Sequence, residues 1–176
     1  MKTITWIFLA LTLVIFSACE VENYHDVPDN ELFVGTVFEI EGDFTRQNDF
    51  MLYFGFPKSF KVYDSDVVLV YILWEQVTDN FGKNTDVWRL LPQTVILEEG
   101  ILQYNFDYTL ADVQIFLDGS IDLNTLLPAE ALDQVFRIVV FPADFALNNS
   151  LDVSNYNLVL KSLGENIRRI EKIDLP

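Results

Sequence analysis

Leu102, Tyr104, Phe106 and Tyr108 alternate with Gln103, Asn105 and Asp107, and this period-two stretch constrains the chain more than any other feature. Successive side chains of a strand point to opposite faces, so the segment must form a strand with one apolar and one wet face. Phe50, Leu52, Phe54 and Phe56 repeat the pattern until Pro57, which cannot donate to a ladder, ends it. Two other segments depart from alternation. Val67 to Trp74 is apolar at all eight positions, and Val135 to Phe141 is nearly so, interrupted by Arg137. Strands of that kind have to be covered on both faces, and Val67–Trp74 is the expected central strand.

Further strands are expected over Phe33–Ile40 and Val113–Leu117, and over Val87–Leu91 and Thr94–Leu97 on either side of Pro92, which marks an edge or a bulge. Gly42-Asp43, the stretch 78–86, Glu98-Glu99-Gly100 and Asp118-Gly119 supply turns. Leu127–Leu132 predicts one helical turn with Pro128 at its first position. Val153, Tyr156, Val159, Leu160 and Leu163 recur at helical spacing. They predict a short C-terminal helix on one end of the sheets, with Asp152 or Ser154 as cap and Gly164 as stop. Arg168–Ile173 adds a last edge strand protected by its basic residues. Seven or eight strands about ten residues apart, with one late helix, specify an all-β protein. The expected architecture is a two-sheet antiparallel β-sandwich of Ig-like type, a single domain over residues 32–176. A small barrel is the alternative, because strand order is not encoded in the alternation.

At the other end, Lys2, the apolar run Ile4–Phe16 and the small pair Ser17-Ala18 precede the chain's only cysteine, Cys19. Residues 1–18 therefore read as a signal peptide. As a helix the run would span about 20 Å against a bilayer core of about 30 Å, too short for a permanent membrane span. Ser17-Ala18-Cys19 resembles the lipobox of bacterial lipoproteins, with Phe16 where that motif most often carries Leu or a β-branched residue. The resemblance implies that Cys19 becomes the lipidated first residue. Several acyl chains, at about 0.8 kcal/mol per buried methylene, would then hold the protein on a membrane. It also implies a cell-envelope location, as an outer-membrane lipoprotein facing the periplasm or the surface. The alternative is a secreted protein cleaved nearby and left with a free thiol. Residues 19–31, with Glu20, Glu22, Asp26, Asp29, Glu31 and the breaker Pro28, read as an acidic flexible tether.

The balance of 11 Lys and Arg against 27 Asp and Glu gives a net charge of −16, and losing residues 1–18 removes only Lys2 from it. Such a surface repels phosphate backbones, so nucleic acid is not an expected partner. Divalent cations or basic partners suit it, and so does a solubilising role for a chain with 15 Phe and 7 Tyr. The lone cysteine rules out a disulfide framework. His25, the only histidine, lies in the tether, so a Ser-His-Asp or Cys-His site on the folded domain lacks its base. Dinucleotide and P-loop fingerprints are missing as well. The chain is therefore not expected to be an enzyme. A two-carboxylate glycosidase is the residual enzymatic option, with Asp107 and Asp112 as the first pair to test.

Two oxygen-rich clusters suit a hard cation such as calcium, the one cofactor considered: Asp79, Asn80, Asn84 and Asp86, and Asp118, Asp122 and Asn124. Neither follows EF-hand spacing, and Asx turns account for both without metal. Trp74 and Trp88 would make a sugar-stacking platform if they faced solvent, and core residues if they did not. Arg89 and Arg137, set among apolar neighbours, would each need a carboxylate partner if buried.

The segments 35–44, 65–71, 86–94 and 102–108 (GTVFEIEGDF, SDVVLVY, DVWRLLPQT and LQYNFDY) resemble a group of small uncharacterised bacterial lipoproteins. The likeness covers most of the mature chain. Some of those relatives carry collagen-like Gly-Pro linkers, which this chain lacks, so trimerisation by that route is not implied. The resemblance implies no activity and no catalytic residue. The expected function is a lipid-anchored envelope module for binding, adhesion or structural interaction, with an envelope protein or a glycan as partner. The alternative is a carbohydrate-binding module, assisted by calcium.

Overall fold

The two all-apolar segments lie side by side inside one sheet, and the alternating ones build the other. A computed structural model describes residues 35–78, 80–164, 167–169 and 172–175. Residues 1–34, with the expected signal peptide and tether and with Cys19 and His25, and Asp79 lie outside the described residues. The first sheet contains β1 (Gly35–Gly42), β3 (Asp66–Thr78), β4 (Asn84–Leu90), β8 (Gln134–Pro142), β9 (Ile167–Arg169) and β10 (Ile173–Asp174). Its order is β10-β1-β8-β3-β4, with β9 also paired to β1. The second sheet, β2-β7-β6-β5, contains β2 (Met51–Gly55), β5 (Gln93–Leu97), β6 (Gly100–Tyr108) and β7 (Asp112–Gly119). β8 holds the middle of the first sheet, and β3, the expected central strand, lies one position over. An apolar run on both faces reports double coverage, which both strands have, and not rank within the sheet.

Between the sheets, Phe38, Ile40, Val70, Ile72, Phe136 and Ile138 meet Leu52, Phe54, Leu102, Tyr104, Val113 and Ile115 in one core, a sandwich-like packing. Phe38 anchors an aromatic cluster there, with ring centroids 5.1 Å from Phe54 and 5.0 Å from Phe60. The second core lies on the outward side of the first sheet. There Val37, Leu69, Tyr71, Val139 and Phe141 pack against Tyr156, Val159 and Leu163.

The described residues contain three short helices, where one helical turn at Leu127–Leu132 and one C-terminal helix were expected: α1 (Pro128–Ala131), α2 (Ala143–Asn148) and α3 (Tyr156–Leu163). Pro128 opens α1 as anticipated. α3 covers a sheet face and not an end of the sandwich, because the outward side chains of β3 and β8 need burial. Its cap is Asn155, whose Oδ1 accepts from the Leu158 N–H at 3.2 Å. Asp152 instead accepts from the Ser154 N–H and hydroxyl, closing the turn one step earlier. Gly164, at φ 63°, stops the helix as expected.

The described strands number ten, more than the seven or eight expected, and one of the additional strands comes from the splitting of the chain's last edge segment. β9 and β10 both run parallel to β1, with Gly35 opposite Ile167 and Ile40 opposite Ile173, so the register slips by one residue between them. Lys172 pairs with Glu41, and the Leu175 N–H donates to the Glu41 carbonyl at 2.7 Å. On the β6–β7 side, a Cβ at Gly119 would lie 2.1 Å from the Ile101 carbonyl oxygen. Gly119→Ala is expected to cost about 2 kcal/mol or more, read as a lower denaturation midpoint.

Two buried phenols tie loops to the sheets. The Tyr71 hydroxyl donates to the Val153 carbonyl at 2.6 Å, and the Tyr104 hydroxyl to the Glu130 carbonyl at 2.7 Å. Burial pushes the ionisation of Tyr71 well up, and that of Tyr104 up to about 12, from an ordinary 10.0. Above that ordinary value the unfolded chain releases protons that the native state keeps, so folding loses stability as pH rises. Thermal midpoints should therefore be insensitive to these groups below about pH 10 and fall between about pH 10 and 12. Tyr71→Phe and Tyr104→Phe should each flatten that fall while costing about 1–2 kcal/mol at neutral pH, since a buried carbonyl loses its donor.

Candidate functional site

Among the described residues β4 forms one edge of the first sheet, and α3 begins beside it without covering it. Between the two opens a groove of about 390 Å³, lined by Asp86, Trp88, Asp152, Asn155, Tyr156 and Asn157 among others. Trp88 stands opposite Leu73 of β3 and is packed into the outward core. The guanidinium of Arg137 lies 4.0 Å from the Trp88 ring centroid, and the Tyr156 ring lies 5.5 Å away. Arg137 is itself fixed twice. Its Nε donates to Glu39 Oε2 at 2.7 Å, and its terminal nitrogen donates to the Tyr156 hydroxyl at 2.9 Å. A stacked cation is worth about 0.5–2 kcal/mol, and here it holds the indole in one orientation.

The polar walls are also fixed in place. Asp86 Oδ1 accepts from the Gln76 amide at 2.8 Å, and Asp152 Oδ1 accepts from the Ser154 hydroxyl at 2.7 Å and its N–H at 3.0 Å. The Ser154 hydroxyl bond, then its N–H, holds the Asp152 carboxyl below the usual carboxylate range. These bonds use one oxygen of each acid and the oxygen of Asn155, leaving Asp86 Oδ2, Asp152 Oδ2 and the Asn155 amide nitrogen for a ligand. Asn157 is exposed at the rim.

Of the residues singled out in the sequence, Trp88 and Asp86 meet in this groove and Trp74 does not. Trp74 occupies the register shift between Leu73 and Glu75 and packs toward the inter-sheet core. Arg89 covers it at 4.0 Å, and both the ring and Glu130 line a separate concavity of about 260 Å³. The two tryptophans therefore lie on opposite faces of the sheet and share no platform. Arg137 has the carboxylate partner expected of it, whereas Arg89 is exposed and stacks on Trp74.

Described members of the two cation clusters make local hydrogen bonds. Asn84 and Asp86 sit in β4, where Asn84 accepts from the Thr78 hydroxyl at 2.7 Å, while Asn80 is in the turn. Asp118 accepts from the Gly119 N–H, and Asp122 from the Asn124 N–H and side-chain amide, capping a 3₁₀ turn at Leu123–Thr125. Among the described residues no three His, Cys, Asp or Glu side chains converge on a metal-binding geometry. Asp107 and Asp112 share the open outward face of the second sheet, with Asp107 opposite Gln114. The oxygens of Asp112 accept from the Tyr53 and Thr109 hydroxyls at 2.9 and 2.8 Å.

Asp152 and Tyr156 were not legible as site residues, because capping and helix patterning accounted for them, and no local pattern singled out Asn155 or Asn157. Arg137→Ala is expected to strip the support from Trp88 and orphan Glu39. A red-shifted tryptophan emission and a stability loss of about 1–3 kcal/mol would register it. Arg137→Lys, which keeps the charge but not the planar stack, should recover only part of both. No protein-family model matches the chain, and no curated protein or solved structure matches it.

Proposed function

We propose that this protein is a lipid-anchored binding module of the bacterial envelope, held in the outer membrane through Cys19 and engaging an envelope protein or glycan beside Trp88. The observation that carries this reading is the Arg137-backed Trp88 in an oxygen-rich groove at an open sheet edge. Ligand sites are typically concave, pre-formed and furnished with a few fixed polar groups around an apolar surface. The lipobox-like Ser17-Ala18-Cys19 and the acidic tether support the anchoring, and so does the likeness to small lipoproteins. The Ig-like type of sandwich belongs to the same proposal, supported by two mainly antiparallel sheets that exchange strands across the core. The role is one of binding and not of catalysis, and the net charge of −16 argues against nucleic acid as partner.

Metabolic labelling with an alkyne fatty acid should mark the full chain, and Cys19→Ser should lose the label and leave the membrane fraction. A membrane-bound, unlabelled wild-type chain would sink the anchor. Hydrogen exchange on the full chain in detergent, with and without solubilised envelope, should show protection concentrated in 84–90 and 152–160. Protection elsewhere alone, or none, would sink the binding groove.

A further inference from the structure

We infer that the groove beside Trp88 binds a neutral glycan, with a sugar ring stacked on the indole and its hydroxyls held by Asp86, Asp152, Asn155 and Asn157. The inference rests on the groove being the binding site and adds the chemistry of what enters it. A volume of about 390 Å³ lies at the small end of ligand sites, and the groove runs along a sheet edge that no further strand closes. Trp88 supplies a flat apolar surface already immobilised by Arg137 and Tyr156, so stacking on it costs little further side-chain entropy. Around it stand two carboxylates and two amides. Carboxylates accept strongly from hydroxyl donors, and amides offer a donor beside an acceptor, which suits vicinal hydroxyl groups.

Charge narrows the class. The lining holds two acids and no Lys or Arg, and the one cation behind the indole is already paired with Glu39 at 2.7 Å. Sulfated, phosphorylated and uronic glycans would meet uncompensated negative charge there. A basic peptide would also find the acids and could stack a Lys or Arg on the indole; the two amides beside the ring, which pair with vicinal hydroxyls, are what favour a sugar.

Native affinity electrophoresis of the full chain in detergent tests this, with gels containing galactomannan, xylan, β-1,3-glucan or dextran, and polygalacturonate as the anionic comparator. At least one neutral polysaccharide should retard the wild-type band. Trp88→Ala should weaken that retardation by about tenfold or more. Because Trp88 also packs in the outward core, the exposed Asn157→Ala, checked for an unchanged melting midpoint, should weaken it about threefold to fivefold, the loss of one hydrogen bond. Tyr53→Ala, on the far sheet, should leave it unchanged. Retardation by none of the neutral polymers, only by polygalacturonate, or equally in both groove variants overturns the inference. If the neutral polymers fail while exchange protection at 84–90 persists with envelope extract, the binding site stands and the glycan falls. If oligolysine reproduces that protection, the ligand is a basic peptide.

Discussion

The outward side chains of β3 and β8 are as apolar as the inward ones, and the molecule is arranged around burying both sets. Inward, Val70, Ile72, Phe136 and Ile138 meet the second sheet; outward, Leu69, Tyr71, Val139 and Phe141 meet α3. Each large side chain removed from water contributes about 1.5–3 kcal/mol, so neither layer can be dispensed with. The cover is short, since α3 runs only from Tyr156 to Leu163. It reaches the edge strand at its first turn and stops there, and the groove beside Trp88 is what remains uncovered.

Arg137 is the exception on these otherwise apolar strands. A half-buried guanidinium requires partners, and it takes three at once: the Glu39 carboxylate, the Tyr156 hydroxyl and the Trp88 ring. A demand created by burial thereby fixes the orientation of the Trp88 indole at the groove. The ion pair couples β1 to β8, and the hydroxyl couples β8 to α3, so the site is braced by three separate elements.

Alternation in 102–108 and its absence in 67–74 and 135–141 told which strands would have one covered face and which two, and the two sheets follow that division. They did not tell what supplies the second cover. α2 and the face-on placement of α3 depend on long-range packing that a local period does not express. The split of the last strand into β9 and β10 depends on register against β1, which is likewise non-local. Trp74 and Trp88 were equivalent as aromatic residues in strands. A one-residue register shift after Leu73 and the assignment of each to a different core put them on opposite sides of the sheet. Asx-rich stretches read equally as ion ligands or as turns, since both uses employ the same oxygens, and here Asp122 and Asp152 bond to their own turns.

β1 is hydrogen-bonded along both of its edges, antiparallel to β8 from Thr36 to Gly42 and parallel to β9 and β10 on the other side. A load applied at Gly35 along the strand axis would put the rungs of both ladders in shear together instead of unzipping them one by one. How long such a domain survives a pull is set by its unfolding rate and not by its equilibrium stability. Loaded in this way, β1 acts as a mechanical clamp, because the ladders on both its edges must fail together.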